Sequence, residues 1–409
     1  MKSKYITVLF LIVLALTSCS IPKATELPAP IEPSGDSTAI VQISPTEKST
    51  PISSSIDAAK CTEFSQKELA GNGYLIAMNL SPSVGEMSTD KIIDMKTLDS
   101  ENFVTKNDFD VSPTGKALAY IDIQNNAWVL IVADEEKTIE IPMQGRVTYI
   151  KWVNDQTIAI KEDYEPETYT LFLNPFSGDW KRIETNFPDM YANAGGLINP
   201  WRGNIPAFDP TLTYAAYPSY VSDPGFAGIN LTRIEDGAVV GRFEMFPYIY
   251  PPVWSPLGES LIVPSSIGEK RELIRVFVDH RTVALTNFSV NYPNFALYSY
   301  RWSPDGRRIA FWFVEDYRLD NKAKSLAIID LDSNNVTITC IRSENNILDF
   351  NDNPVWSPDS NQLVVQIQSN SGPSSSLALV DFRQTSYELI VTDTYLSPVG
   401  WITFKPKLP

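Results

Sequence analysis

Trp302-Ser303-Pro304-Asp305-Gly306, followed at once by Arg307-Arg308-Ile309-Ala310-Phe311, decides the fold of this chain. A bulky anchor meets a tight turn, and a β-rich run leaves it. Proline early in the turn pre-sets φ, and Asp and Gly support the reversal. The pattern returns as Trp356-Ser357-Pro358-Asp359-Ser360 and as Trp254-Ser255-Pro256-Leu257-Gly258. Weaker copies are Val111-Ser112-Pro113-Thr114-Gly115, Trp152-Val153-Asn154-Asp155-Gln156 and Phe208-Asp209-Pro210-Thr211. A last anchor, Trp401, follows Ser397-Pro398-Val399-Gly400. The spacing of about 40–55 residues is that of a four-stranded propeller blade.

Around Trp302 the unit divides into strand A (300–302), strand B (309–314), strand C (325–331) and strand D (336–341). Strand content and turn residues fit the usual sheet signals. Asp330-Leu331-Asp332-Ser333-Asn334 lacks the glycine and distal glutamate of a calcium loop, so it reads as the C-to-D turn. After Trp401 only a strand A remains. The first β segments, 73–79, 91–94 and 102–105, supply B, C and D without an A. Joining the two ends predicts an all-β, seven-bladed β-propeller with two-ended closure, which leaves no open edge in the ring. Six blades is the alternative, because the first and fourth units are poorly marked.

The Trp-Ser-Pro-Asp-Gly repeat with its Ile-Ala-Phe strand resembles the β-propeller repeats of TolB and of the dipeptidyl-peptidase-type propellers, a WD40-like architecture. The resemblance covers about residues 73–404. It implies the fold; propellers of this kind serve many roles. TolB carries an α/β domain ahead of its propeller, and a tether stands in that place here. The peptidases carry a hydrolase domain with a Gly-x-Ser-x-Gly elbow, and this chain has no such elbow.

The N-terminus departs from globular composition. Lys2 and Lys4 precede an apolar stretch, 5–16, that is too short to span a bilayer. Leu16-Thr17-Ser18-Cys19 then matches a bacterial lipobox. Residues 1–18 read as a lipoprotein signal peptide, with an uncleaved anchor or a plain secretory signal as the alternatives. Cys19 would then be the lipidated first residue, carrying palmitate or similar chains; stable anchoring takes more than one chain. Residues 19–60 are rich in Pro, Ser and Thr and cannot bury enough surface to fold. They form a tether with a root-mean-square span of about 35 Å. Residues 61–409 form the propeller. The expected location is extracytoplasmic, lipid-anchored to the cell membrane or outer membrane.

The formal charge is −16, and loss of Lys2 and Lys4 makes the mature chain more acidic still. Such a surface repels phosphate backbones, so no nucleic-acid partner is expected. Cys61 and Cys340 remain besides Cys19. Two cysteines in an exported protein permit a disulfide, although Cys340 could equally pack within its alternating strand.

Catalytic chemistry finds little support. His280, the one histidine, lies in an expected C-to-D turn. No triad, metal site or cofactor is expected from it. No spacing singles out a carboxylate pair for glycoside chemistry. The anchor tryptophans read as wedges between blades.

The B-to-C and D-to-A loops are the long ones, and both emerge on one side of the disc. They carry Tyr164, Trp201, Arg202, Tyr220, Tyr248, Tyr250, Tyr292, Phe295, Tyr317 and Arg318. Aromatics with arginine are the usual energetic anchors of recognition surfaces. Tyr164, Trp201, Arg202, Tyr220, Tyr248, Tyr250, Tyr317 and Arg318 are the candidate binding residues. Trp201 and Arg202 lead, because residues 186–206 form the longest connection. Packing of these side chains onto the blades is the alternative. The expected function is non-catalytic binding of, or scaffolding for, an envelope protein, peptide or glycan. A propeller enzyme acting on an envelope polysaccharide is the other reading.

Overall fold

The structure is a computed structural model. It describes residues 61–79, 90–103, 109–162, 169–185, 206–221, 226–244, 252–267, 270–319, 323–343, 353–368, 375–391 and 396–407. Seven four-stranded antiparallel arrangements make a seven-bladed propeller. Blade 6 has Ala296–Trp302, Arg308–Val314, Lys324–Asp330 and Asn335–Ser343 as strands A to D. Its strand B reads as a continuous apolar run because both of its faces are covered by neighbouring blades. Ile309, Ala310, Phe311, Trp312, Phe313 and Val314 are all buried. Strand D alternates instead, since it lies at the rim.

The closing blade uses both ends of the chain. Leu396–Ile402 pairs antiparallel with Tyr74–Asn79, setting Trp401 opposite Leu75 and Ile402 opposite Tyr74. Asp90–Asp94 and Ser100–Phe103 complete it. Seven sheets replace the six-blade alternative.

The segment ahead of blade 1 is ordered in a way the repeat does not announce. Thr62 bridges Thr339 on the rim strand of blade 6. Ser65–Gln66 then adds in parallel to Ser386–Val391, as a fifth strand of blade 7. Further on, Gly71 N–H donates to Met95 O of blade 1 at 2.7 Å. This belt crosses three successive blades, including the one that closes the ring. The structure joins Cys61 to Cys340 by a disulfide, with Cα atoms 5.0 Å apart and 279 residues of sequence separation. A cross-link over so long a loop typically stabilises by about 2–4 kcal/mol.

The anchors pack as wedges: Trp152, Trp254, Trp302, Trp356 and Trp401 are buried. The A-to-B turns on one side of the disc are linked to each other. Thr114 Oγ1 donates to Asp155 Oδ2 at 2.7 Å. Asn154 Nδ2 donates to Pro210 O at 2.7 Å. Asp305 N donates to Ser360 Oγ at 3.0 Å, and Thr403 N to Gly115 O at 2.9 Å. Gly115 has φ +70°, and a Cβ there would lie 2.3 Å from Trp401 O, so the turn needs glycine.

Candidate functional site

The opposite side carries the B-to-C and D-to-A loops. Strand B ends there and strand C begins there. Buried charges stand at those positions: Asp90, Lys161, Glu162, Glu272 and Lys324. A buried carboxylate needs hydrogen-bond donors. Glu272, at the start of a strand C, shows where they come from. Its Oε2 accepts from Thr286 Oγ1 at 2.6 Å and from Phe288 N at 3.0 Å, and its Oε1 from Ser289 N at 2.9 Å. All three donors belong to the D-to-A connection between blades 5 and 6. Glu162 Oε1 accepts from Gln144 N at 2.9 Å and Gly145 N at 3.0 Å, in the connection between blades 2 and 3. Asp90 Oδ1 accepts from Asn79 N at 2.9 Å. These carboxylates fasten loop backbone to the blade ends, so the loops start from a rigid platform.

Above blade 6 the fastened loop packs through aromatics. Phe288 sits in a short 3-10 turn, Phe288–Val290, with its ring 4.6 Å from Phe313. Tyr292 lies 5.1 Å from Phe313, and Phe295 lies 5.5 Å from Phe288. Tyr292 and Phe295 are buried, so these two loop aromatics serve packing.

Next to them lies the described part of the expected binding face. Asn294 and Asp316 form a parallel bridge, and Tyr317 N donates to Asn294 O at 2.9 Å. Arg318 Nε donates to Asp316 Oδ1 at 3.1 Å, and its Nη2 to Oδ2 at 2.9 Å. The Asn294 amide oxygen accepts from Arg318 when that amide is oriented to suit. Hydrogen bonds from Arg318 pull the Asp316 carboxyl down to about 2, and the same pair raises Arg318. Arg318 therefore sits on the surface as half of a bidentate pair, its side chain 61 % exposed. A guanidinium has five donors, so hydrogen-bonding capacity remains for a ligand.

Tyr220 lies in Tyr214–Val221, opposite Ala227, and its side chain is outside the described residues. Tyr164, Trp201, Arg202, Tyr248, Tyr250 and the lipidation candidate Cys19 also lie outside them. Thus Tyr317 and Arg318 are the candidates whose side chains lie within the described residues.

On the turn side the buried charges do different work. Asp110 Oδ1 takes Lys151 Nζ at 2.7 Å and its Oδ2 takes Trp152 N at 2.7 Å, joining blades 2 and 3. Asp209 accepts from Thr213 N at 2.7 Å and Tyr214 N at 2.6 Å within its own turn. His280 occupies a C-to-D turn with φ 73°. Among the described residues no group of three or more His, Cys, Asp and Glu is placed to hold a metal. No helix among them is long and apolar enough to cross a membrane.

Sequence reasoning passed over Trp180, which is 46 % exposed on the rim strand Asp179–Glu184 of blade 3. Its signal was available: it is a tryptophan outside the anchor positions, in a strand whose neighbours are charged.

No family model matches the chain, and no curated protein matches it in sequence. Solved structures that resemble it include TolB from Acinetobacter baumannii, at 14 % identity over 81 % of this chain and 81 % of that one, TM-score 0.43. An oligogalacturonate lyase in complex with manganese matches at 8 % identity over 79 % of this chain and 85 % of that one, TM-score 0.48. The oligogalacturonate lyase of Vibrio parahaemolyticus matches at 10 % identity over 78 % and 86 %, TM-score 0.48. At these identities and TM-scores no residue role is carried across.

Proposed function

We propose that this chain is a lipid-anchored, extracytoplasmic propeller whose loop-bearing face binds an envelope protein, peptide or glycan without catalysis. The observation that carries the reading is the contrast between the two faces. On one, the short turns bond to one another around much of the ring. On the other, Glu162 and Glu272 hold loop backbone on a fixed base, a scaffold on which long loops can carry recognition. The lipobox at 16–19 and the tether at 19–60 support delivery to the envelope. The Cys61–Cys340 disulfide agrees with an oxidising compartment.

The test is capture of envelope proteins and glycans on the mature protein, followed by face-specific variants. Trp201→Ala or Arg202→Ala should weaken capture of whatever is retained by about 1 kcal/mol or more while the fold melts normally. Changes in the Asp305 turn should leave capture unchanged. The reverse pattern would place function on the turn face.

A further inference from the structure

We propose a second interaction surface, separate from the loop-bearing face: the rim strand of blade 3, which takes an extended peptide with an acidic centre as a fifth strand. Asp179–Glu184 is the outermost strand of its sheet among the described residues. A rim strand presents a row of backbone donors and acceptors that can template another chain. This ring already uses such edges. Ser65–Gln66 adds to the rim of blade 7 and Thr62 bridges the rim of blade 6, both in parallel. An extended chain therefore fits against an outer edge of this propeller.

Blade 3 also has recognition chemistry on its rim. Every residue of Asp179–Glu184 is exposed except Ile183. Trp180 lies opposite Leu173 and Arg182 opposite Leu171, on the side facing blade 2. The Arg182 guanidinium stacks over Tyr169 at 4.1 Å. Lys137, from the C-to-D turn of blade 2, stands 5.9 Å from the ring of Phe176, which is itself partly exposed. Trp180 and Arg182, two residues apart, are thus exposed on one face of the rim strand.

Charge chooses the occupant. A second copy paired antiparallel over the whole strand would set Asp179 against Glu184 and Lys181 against Arg182. Like charges directly opposite destabilise a sheet pair. A complementary strand instead reads basic–apolar–acidic–acidic–apolar–basic. That pattern is the same in both directions, so it suits either strand orientation.

The probes are two labelled hexapeptides. One has lysine ends, valine at the apolar positions and two central glutamates; the other has two central lysines. Binding to the mature protein is followed by fluorescence anisotropy. The glutamate peptide should bind about tenfold tighter, against the pull of the protein's overall negative charge. The doubly substituted Lys181→Glu, Arg182→Glu protein should reverse the preference, a result that loss of fold cannot mimic. Trp180→Ala should weaken the glutamate peptide at least about threefold. Equal binding of both peptides, a preference unchanged by the charge reversal, or no loss with Trp180→Ala would overturn the proposal. So would a homodimer that the charge reversal abolishes.

Discussion

The indole Nε1 of Trp302 donates to the backbone carbonyl of Val253, 3.0 Å away, and so fastens blade 6 to blade 5. The same bond recurs from Trp152 to Asp110 O at 3.2 Å, from Trp254 to Ala207 O at 2.8 Å and from Trp356 to Arg301 O at 3.2 Å. Each acceptor is the residue just before the preceding blade's anchor. The repeat is therefore a device for joining blades as well as a wedge. Trp401 departs from it, donating to Asn72 O at 2.7 Å, because the belt occupies that junction. A Cβ on Gly71 would lie 2.9 Å from the Trp401 ring.

Trp302→Phe keeps most of the wedge and removes the donor, while the Val253 carbonyl stays in the pairing of its strand with Ile262. It should lower unfolding free energy by about 0.5–1.5 kcal/mol. Trp302→Ala should cost about 3–5 kcal/mol, since the cavity is added. Urea unfolding of the two variants measures both. A phenylalanine variant as stable as the parent would show that the indole bond contributes nothing.

Leu257 stands where Asp305 and Asp359 stand in blades 6 and 7. There the turn serine donates to the carboxylate, Ser303 Oγ to Asp305 Oδ1 at 2.5 Å and Ser357 Oγ to Asp359 Oδ1 at 2.6 Å. In blade 5 the buried Ser255 Oγ has no partner, and Leu257 is 70 % exposed. Leu257→Asn should supply the acceptor without a second charge near Asp209. A gain of about 0.5–1.5 kcal/mol in unfolding free energy is expected. An unchanged or lower melting temperature would argue against this account of the turn.

Tyr120 is buried, 6 % exposed, in strand B of blade 2. Burial, with Asp122 and Glu140 adding to it, raises its phenol from 10.0 to about 12. Below about pH 10 both folded and unfolded chains keep this proton. Between about 10 and 12 the unfolded chain loses it first, so stability falls as pH rises through that window. Melting temperature should drop less steeply over that range in Tyr120→Phe than in the parent. Parallel curves would mean that Tyr120 is not responsible.

The ring was legible because its anchors repeat: each pairs a bulky residue with turn chemistry, and Trp401 lacked strands of its own. Two-ended closure follows from that count. The belt was not legible, since Ser65–Gln66 is too short for any periodicity and takes its partner from 320 residues away. Nor were the loop anchors: Glu162 and Glu272 look like ordinary charges, and burial alone distinguishes them. For the binding face, the loop pattern located Tyr317 and Arg318 on one loop. It did not anticipate that Asp316 already holds the guanidinium. Tyr292 and Phe295 belonged to the core because a short turn folds them inward, a choice that composition does not record.

The proposed role at the envelope depends on export and lipid anchoring. The most direct measurement is the distribution of Cys19→Ala and parent protein between membrane and soluble fractions, with the mass of the N-terminal peptide. The parent should partition with membrane and carry a peptide beginning at Cys19, heavier by its acyl chains, while Cys19→Ala should move to the soluble fraction. Membrane association unchanged by the substitution, together with an unmodified peptide mass in the parent, would contradict the proposal.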